Sequence, residues 1–266
     1  MGNLVTQWYE DKKNVDEMQQ WNPALKEWER TVIRCFPAGA RILDIGCGLG
    51  REAFALAEMG FDVVGIDISK EVISQVKRLS AEKGYAIPFF DYDGKTLAFP
   101  DASFDVVIIW AQTFGLLYGD EYKQEFLAEC KRVLKKGGLF SFSGHDLRFL
   151  QTYYPNCLND RKFYPYANTE MYWETFEASD LTHFAEQAGL EVVLCEKGKI
   201  YKPEDGTILH CLCKKAVNDF DEAEAVKWNQ RTREKVGRST PYPEPIIKCV
   251  PVTRMNCIRY CLPMLR

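Results

Sequence analysis

Apolar and polar positions along the first 215 residues fall into alternating blocks. "RILDI" and "FDVVGID" are short apolar runs, and "FDVVIIW" is almost uniformly apolar. Unbroken runs of this length fit strands covered on both faces, as in a parallel sheet. "AIPFF" and "LFSFS" add a third and a fifth strand, the latter after a "KKGG" turn. Between the strands the spacing changes to that of helices. Val72, Ile73, Val76 and Leu79 put one apolar stripe on residues 69–83, which Gly84 stops. Similar patterns predict helices over Arg51–Met59, ending at Gly60, and over residues 121–135. "SDLTHFAEQAG" predicts a helix with a Ser/Asp start and a glycine stop, and strands "LEVVLCE" and "TILHCLCKK" follow it. Five β–α units ending in two adjacent strands define an α/β fold: an open, twisted, mostly parallel sheet with helices on both faces.

The ends differ from the middle. "WYEDKKNVDEMQQWNP" is polar with spaced aromatics and predicts one or two short helices; Asn22-Pro23 then signals a helix running to about Phe36. Residues 144–176 are irregular and rich in aromatics, a composition suited to a substrate cover. Beyond Lys215 the core-forming period stops. The chain thus divides into a helical cap (1–36), a main domain (37–215) and a basic extension (216–266).

Charge and cysteine content narrow the function classes. Eight basic residues against two acids lie between Arg231 and Arg266, so the net charge of −4 hides an acidic body. Such a body argues against a dedicated nucleic-acid surface. No stretch approaches the roughly 20 apolar residues of a membrane span. Without an apolar leader, the ten cysteines read as thiols in a reducing, cytoplasmic setting. Cys249, Cys257 and Cys261 lack a close third ligand, so the expectation is no metal site. "MGNLVT" matches a myristoylation pattern, though the match is short.

The chemistry concentrates at "LDIGCGLG", after the first strand, and at Asp67, after the second. In open α/β sheets ligands bind beyond the carboxyl ends of the strands. Glycines there allow a sharp turn and bring backbone N–H groups to the ligand. Dinucleotide sites use G-x-G-x-x-G, but here the third glycine comes one residue early and Arg51 follows it. Asp44 beside the loop would repel a pyrophosphate and suits a ligand carrying an ammonium group.

At this point the chain resembles a class I S-adenosylmethionine-dependent methyltransferase, with its Rossmann-like seven-stranded sheet and antiparallel last strand. "LDIGCGLG" and "VVGIDIS" resemble that family's first two motifs. "DGKTLAFPDASFDVVIIW" resembles its aspartate–loop–fourth-strand block, and "RVLKKGGLFSFS" the turn into its fifth strand. The resemblance implies S-adenosylmethionine as cofactor, with Asp44 toward the methionine ammonium and Gly46, Gly48 and Gly50 admitting the backbone. It puts Asp67 on the ribose hydroxyls, Ile68 on the adenine, Asp93 on the adenine amino group and Gly94 on a ring nitrogen. Asp91 competes with Asp93 for that place. Trp110 and Ala111 would border the methyl group.

No Asn/Asp-Pro-Pro-Tyr/Phe follows the fourth strand, which favours a small-molecule acceptor over base or protein nitrogens. His145, in "SGHD", is the candidate catalytic base if the acceptor is protonated; a locally bonded loop histidine is the competing reading. A non-catalytic cofactor-binding module on the same fold is the alternative function class. The acceptor atom and the oligomeric state stay open.

Overall fold

In a computed structural model, residues 2–166, 169–202 and 206–217 are described; the basic extension from residue 218 on, with its three cysteines, lies outside them. Met1–Val217 forms one compact unit. Its centre is a twisted sheet built from β1 (Arg41–Ile45), β2 (Asp62–Asp67), β3 (Phe89–Asp91), β4 (Phe104–Ile109) and β5 (Leu134–Asp146). These five pair in parallel in the order β3-β2-β1-β4-β5. The order reverses between β1 and β4, so their carboxyl ends open a crevice.

Two C-terminal strands complete the expected seven. β9 (Leu190–Lys199) pairs antiparallel with β10 (Thr207–Lys215), and β10 inserts antiparallel against β5. "KKGG" does not end before β5 but forms an irregularity inside it, between the pairings Phe104↔Leu134 and Val106↔Leu139. Three short strands were not foreseen: β6 (Leu158–Asn159) and β7 (Lys162–Phe163) form a hairpin, and β8 (Trp173–Phe176) joins it to the end of β5. The aromatic segment is therefore tied to the sheet at His145↔Thr175 and Asp146↔Phe176.

Helices cover both faces. α3 (Glu27–Ile33), α4 (Arg51–Glu58) and α5 (Lys70–Glu82) bury Trp28, Val32, Leu56, Ile73 and Val76 against Ile42, Val106, Ile108 and Trp110. On the other face α6 (Asp120–Val133) and α8 (Ala178–Gln187) pack Phe126, Leu127, Leu181 and Phe184 against Leu43, Val107, Phe140 and Phe142. The odd and even residues of each strand go to different layers, as a period of two requires. α3 starts four residues later than Pro23. Asn22 accepts from Ala24 N (3.0 Å), an isolated turn, while Glu29 reaches back to Lys26 N (2.7 Å) and fixes the true start.

The N-terminal segment forms α1 (Gly2–Glu10) and α2 (Lys12–Met18). Ser69 donates to Tyr9 O (2.8 Å), Lys70 N donates to Glu10 Oε1 (2.7 Å), and Gln75 bonds Asp16 and Gln19. These contacts fasten the N-terminal helices at the start of α5, beside the end of β2. α7 (Leu147–Tyr153) follows β5 directly, with the Asp146 carboxylate capping it through Arg148 N (3.1 Å).

Candidate cofactor and acceptor site

The carboxyl ends of β1, β2 and β4 bring Asp44, the glycine loop, Asp67 and residues 110–113 together. Gly46, Gly48 and Gly50 all have positive φ (71°, 51° and 84°), a conformation that glycine adopts without steric cost. Gly46 N donates to Ile66 O (2.8 Å), pinning the loop to β2. A Cβ on Gly46 would stand 2.7 Å from Thr113 Cγ2, so the loop after β1 and the loop after β4 touch here. A Cβ on Gly48 would lie 3.5 Å from Met18 Cε, which places the end of α2 over the loop.

Asp67 ends β2 with its carboxylate buried. One oxygen accepts Gly48 N (3.1 Å) and the other Ser69 N (3.0 Å), so the two strand ends are joined through it. Burial pushes its pKa up to about 6, against the opposing pull of the Ser69 and Gly48 amides. The buried Tyr9 hydroxyl is held well above its ordinary range, by burial first and then by the Asp67 charge.

Asp44 is only 2% exposed, and its Oδ2 has no hydrogen-bond partner. Burial, and then the neighbouring Glu52 charge, raise its pKa well above the carboxylate range. Close by, Arg51 grips Glu29 bidentately (both 2.8 Å) and pairs with Glu52, while Lys26 bonds Glu29 at 3.1 Å. Lys26 and Arg51 are bonded to Glu29 and Glu52, so the Arg51 charge only partly offsets the burial of Asp44. An orphaned buried carboxylate is costly, and a cation supplied from the crevice would offset that cost. Asp44→Asn is expected to raise the thermal midpoint of the free protein by a few degrees, because about 1–2 kcal/mol spent on keeping a buried acid protonated above its ordinary range is removed. The same change should weaken binding of the ammonium-bearing ligand about tenfold. Differential scanning fluorimetry with and without ligand checks both signs, and a midpoint that falls in both conditions would contradict this account.

Ile68 is half-buried against the cluster of Val5, Met171 and Trp173, as are Trp8 and Tyr9, and its Cγ2 lies 3.4 Å from where a Gly94 Cβ would be. These two residues form the crevice wall beyond Asp67. The Tyr122 hydroxyl donates to Gly94 O and holds that turn. Asp93 is exposed, and its Oδ1 accepts Lys95 N (2.8 Å) and Thr96 N (2.9 Å). The Thr96 amide and then the Lys95 amide hold its carboxyl below the usual range. One oxygen is thus committed to its own loop. Asp91 pairs with Asp67 across β2 and β3 and is exposed.

Trp110 is placed differently from a ring bordering a methyl group. It is 1% exposed, its Nε1 donates to Ser141 (2.8 Å), and its ring packs on Trp28 and Phe36 in the core. Parity explains this: Trp110 shares a face with Val106 and Ile108. Ala111 and Gln112 turn the chain back toward the crevice, both in the left-handed region (φ 52° and 62°). Two consecutive non-glycine residues in that region are uncommon and concentrate at functional sites.

His145 lies inside β5 near its end, rather than after it, and is half-buried. Its ring meets Phe163 (5.1 Å) and Trp173 (5.8 Å) edge-on. Burial alone pushes its pKa down to about 4, so the imidazole is neutral at pH 7. Above it, Trp8 stacks on Tyr166 (5.3 Å), and Tyr166 is 6.2 Å from Trp173. α1 and the aromatic segment thus meet over the strand ends. His183 lies in α8 and His210 in β10, where His210 stacks on Trp28 (4.7 Å). No group of three or more His, Cys, Asp or Glu side chains among the described residues could hold a metal ion.

An open sheet of this order, with a glycine loop bonded to a buried carboxylate at the end of the next strand, defines a doubly wound α/β protein with its ligand crevice at the strand ends. The sequence comparisons make the class specific. Residues 42–138 match the family model described as a methyltransferase domain. The Bacillus subtilis protein YqeM, named as a methyltransferase, is 30% identical over 166 residues, 62% of this chain and 65% of that protein. A ubiquinone biosynthesis O-methyltransferase of Paraburkholderia phymatum is 29% identical over 205 residues, 76% of this chain and 84% of the relative. A solved SAM-dependent methyltransferase from Methanosarcina mazei superposes with a TM-score of 0.61 at 20% identity, covering 71% of this chain and 98% of that one. Residues 42–138 thus form a methyltransferase domain, and the likeness to SAM-dependent methyltransferases makes S-adenosylmethionine the cofactor that goes with it. The residues present fit it: an orphaned carboxylate oxygen for its ammonium, a glycine loop held in the left-handed region, and a buried acceptor at Asp67.

Proposed function

We propose that this protein transfers a methyl group from S-adenosylmethionine, in line, to a small-molecule acceptor. The observation that carries the reading is the pairing of an unpartnered buried Asp44 oxygen with a buried Asp67 carboxylate across one glycine loop. When bound, the cofactor supplies a methyl group on a good leaving group, so the protein's task is positioning and water exclusion. Asp44 receives the ammonium. Asp67 accepts from the ribose hydroxyls, a role that suits a two-oxygen acceptor. Gly46, Gly48 and Gly50 admit the ligand to the backbone, Ile68 and Gly94 border the adenine, and the second Asp93 oxygen faces its amino group. Met18 and Tyr9 cover the loop from the N-terminal helices. His145 takes the acceptor proton when the acceptor is a hydroxyl or an ammonium. The O-methyltransferase name among the relatives supports a small acceptor, as do the aromatic walls.

The experiment is titration calorimetry with S-adenosylhomocysteine and NAD, followed by a labelled-methyl screen of small acceptors. Micromolar binding of the first ligand only is expected; binding of NAD instead would end the reading. The alternative, a non-catalytic module, predicts binding without label transfer to any acceptor. We further propose three parts: a cap (1–36), the methyltransferase domain (37–215) and a separable extension (216–266). Because Met1–Val217 is compact by itself, a chain ending at Val217 is expected to keep cofactor affinity within about threefold. An insoluble or non-binding product would show that the extension belongs to the domain. Cys47, Cys130, Cys157, Cys195, Cys211 and Cys213 are thiols outside any disulfide, which is compatible with a cytoplasmic setting.

A further inference from the structure

Two buried N–H donors at the mouth of the crevice have no acceptor: Gln112 Nε2 and Trp173 Nε1. They come from different elements, yet the same short loop joins them. Gln112 O accepts Gly115 N (2.9 Å), and a Cβ on Gly115 would stand 3.3 Å from Trp173 Cδ1. Gln112 N donates to Ser143 Oγ (3.1 Å), and Ser143 lies two residues before His145 on the same face of β5. Trp173 is the ring that meets His145 edge-on. Thr113, next to Gln112, is the residue that fills the space above Gly46. Gln112 and Trp173 thus both adjoin the turn at residues 113–115, Trp173 also meets the imidazole, and Thr113 of that turn meets the cofactor loop.

The left-handed backbone at Ala111 and Gln112 adds to this. Unfavourable conformations persist where neighbouring contacts over-determine them, and here the Ser143 hydroxyl and the Gly115 amide do so. Buried donors left unpaired carry the full desolvation penalty of the group, and two in one mouth mark a place for a ligand that offers lone pairs. An ammonium offers none. The carboxylates that might have received a cation are committed elsewhere, Glu174 to Lys123 and Asp146 to Lys197. The walls, Phe163 and Trp173 with Tyr166 beyond, are flat and aromatic.

We infer that Gln112 and Trp173 form an acceptor subsite for a planar aromatic ring bearing two neighbouring oxygens. One oxygen accepts from the two N–H groups, and the other, a hydroxyl, lies toward His145. This rests on the methyltransferase reading and narrows its substrate class to catechol-like or hydroxyquinol-like molecules.

The test uses the full chain saturated with S-adenosylhomocysteine and 4-nitrocatechol as probe, whose visible absorbance reports binding and ionisation. Nitrocatechol should bind, and Gln112→Glu and Trp173→Phe should each weaken it about fivefold to tenfold while leaving S-adenosylhomocysteine affinity unchanged. Gln112→Glu keeps the shape and turns a donor into an acceptor; Trp173→Phe keeps an aromatic ring and deletes the N–H. Equal nitrocatechol affinity in wild type and both variants would overturn the subsite. So would binding of N,N-dimethylethanolamine in place of nitrocatechol. Wild-type protein that fails to bind S-adenosylhomocysteine would instead remove the methyltransferase reading beneath it.

Discussion

Replacing Asp67 by alanine is expected to weaken S-adenosylmethionine binding by about 2–3 kcal/mol, roughly 30- to 160-fold, because contacts to a charged acceptor are lost. The loop itself should loosen as well, since Gly48 N and Ser69 N both depend on this carboxylate. Calorimetry on the variant checks the figure, and unchanged affinity would take Asp67 out of the site. A pH series separates ligand contact from loop support. Burial holds the Asp67 carboxyl at about 6 in the folded protein, against 3.8 as its ordinary value. Between those values the folded chain binds a proton that the unfolded chain does not. This group's contribution to stability therefore falls as pH rises through that window. Ligand affinity runs the other way. Hydroxyl donors need the ionised form, so affinity should drop as pH falls below about 6, by up to tenfold per unit. In Asp67→Ala that drop should vanish.

How much of this was legible in the sequence follows from the range of the forces involved. The glycine loop, the two acids and the sheet are set by short-range pattern: apolar runs, glycine at positive φ, and helix stops. The order of five parallel strands with an antiparallel return followed from them and from the family motifs. Trp110 could also have been placed by pattern, since counting by twos from Val106 and Ile108 puts its ring in the core. Likewise "DGKT" carries the Asx-turn signal that engages Asp93 with its own loop. The unpartnered Asp44 oxygen was not legible, because it depends on Arg51 and Lys26 choosing Glu29 and Glu52. Neither were β6, β7 and β8, which are too short for a period to show and pair only because β5 extends past the body of the sheet. The left-handed turn at Gln112 likewise arises from a tertiary bond to Ser143.

His145→Ala is expected to lower turnover about 100-fold with a hydroxyl acceptor, with cofactor affinity nearly intact. Its neighbourhood sets both the size and the pH signature of the effect. Phe163 and Trp173 surround the ring, and burial among them brings its pKa down to about 4 from 6.5. The imidazole is therefore always neutral and ready at physiological pH, but it is a weak base, which keeps the expected gain at the low end for proton transfer. For stability the sign is set by the unfolded chain, which binds a proton below 6.5 while the folded chain does not until about 4. This group's contribution is lost as pH falls through that interval. For turnover, no acid limb from His145 should appear between pH 5 and 8 once cofactor is saturating. The limb near pH 6 should appear only at subsaturating cofactor, where Asp67 controls binding. Opening the aromatic wall with Phe163→Ala should rehydrate the ring and move the His145 limb upward toward 6.5. Turnover measured across pH 5–9 in the three proteins decides the matter. A His145→Ala enzyme with near-normal rates would leave positioning as the whole mechanism, and the proton would then leave through water.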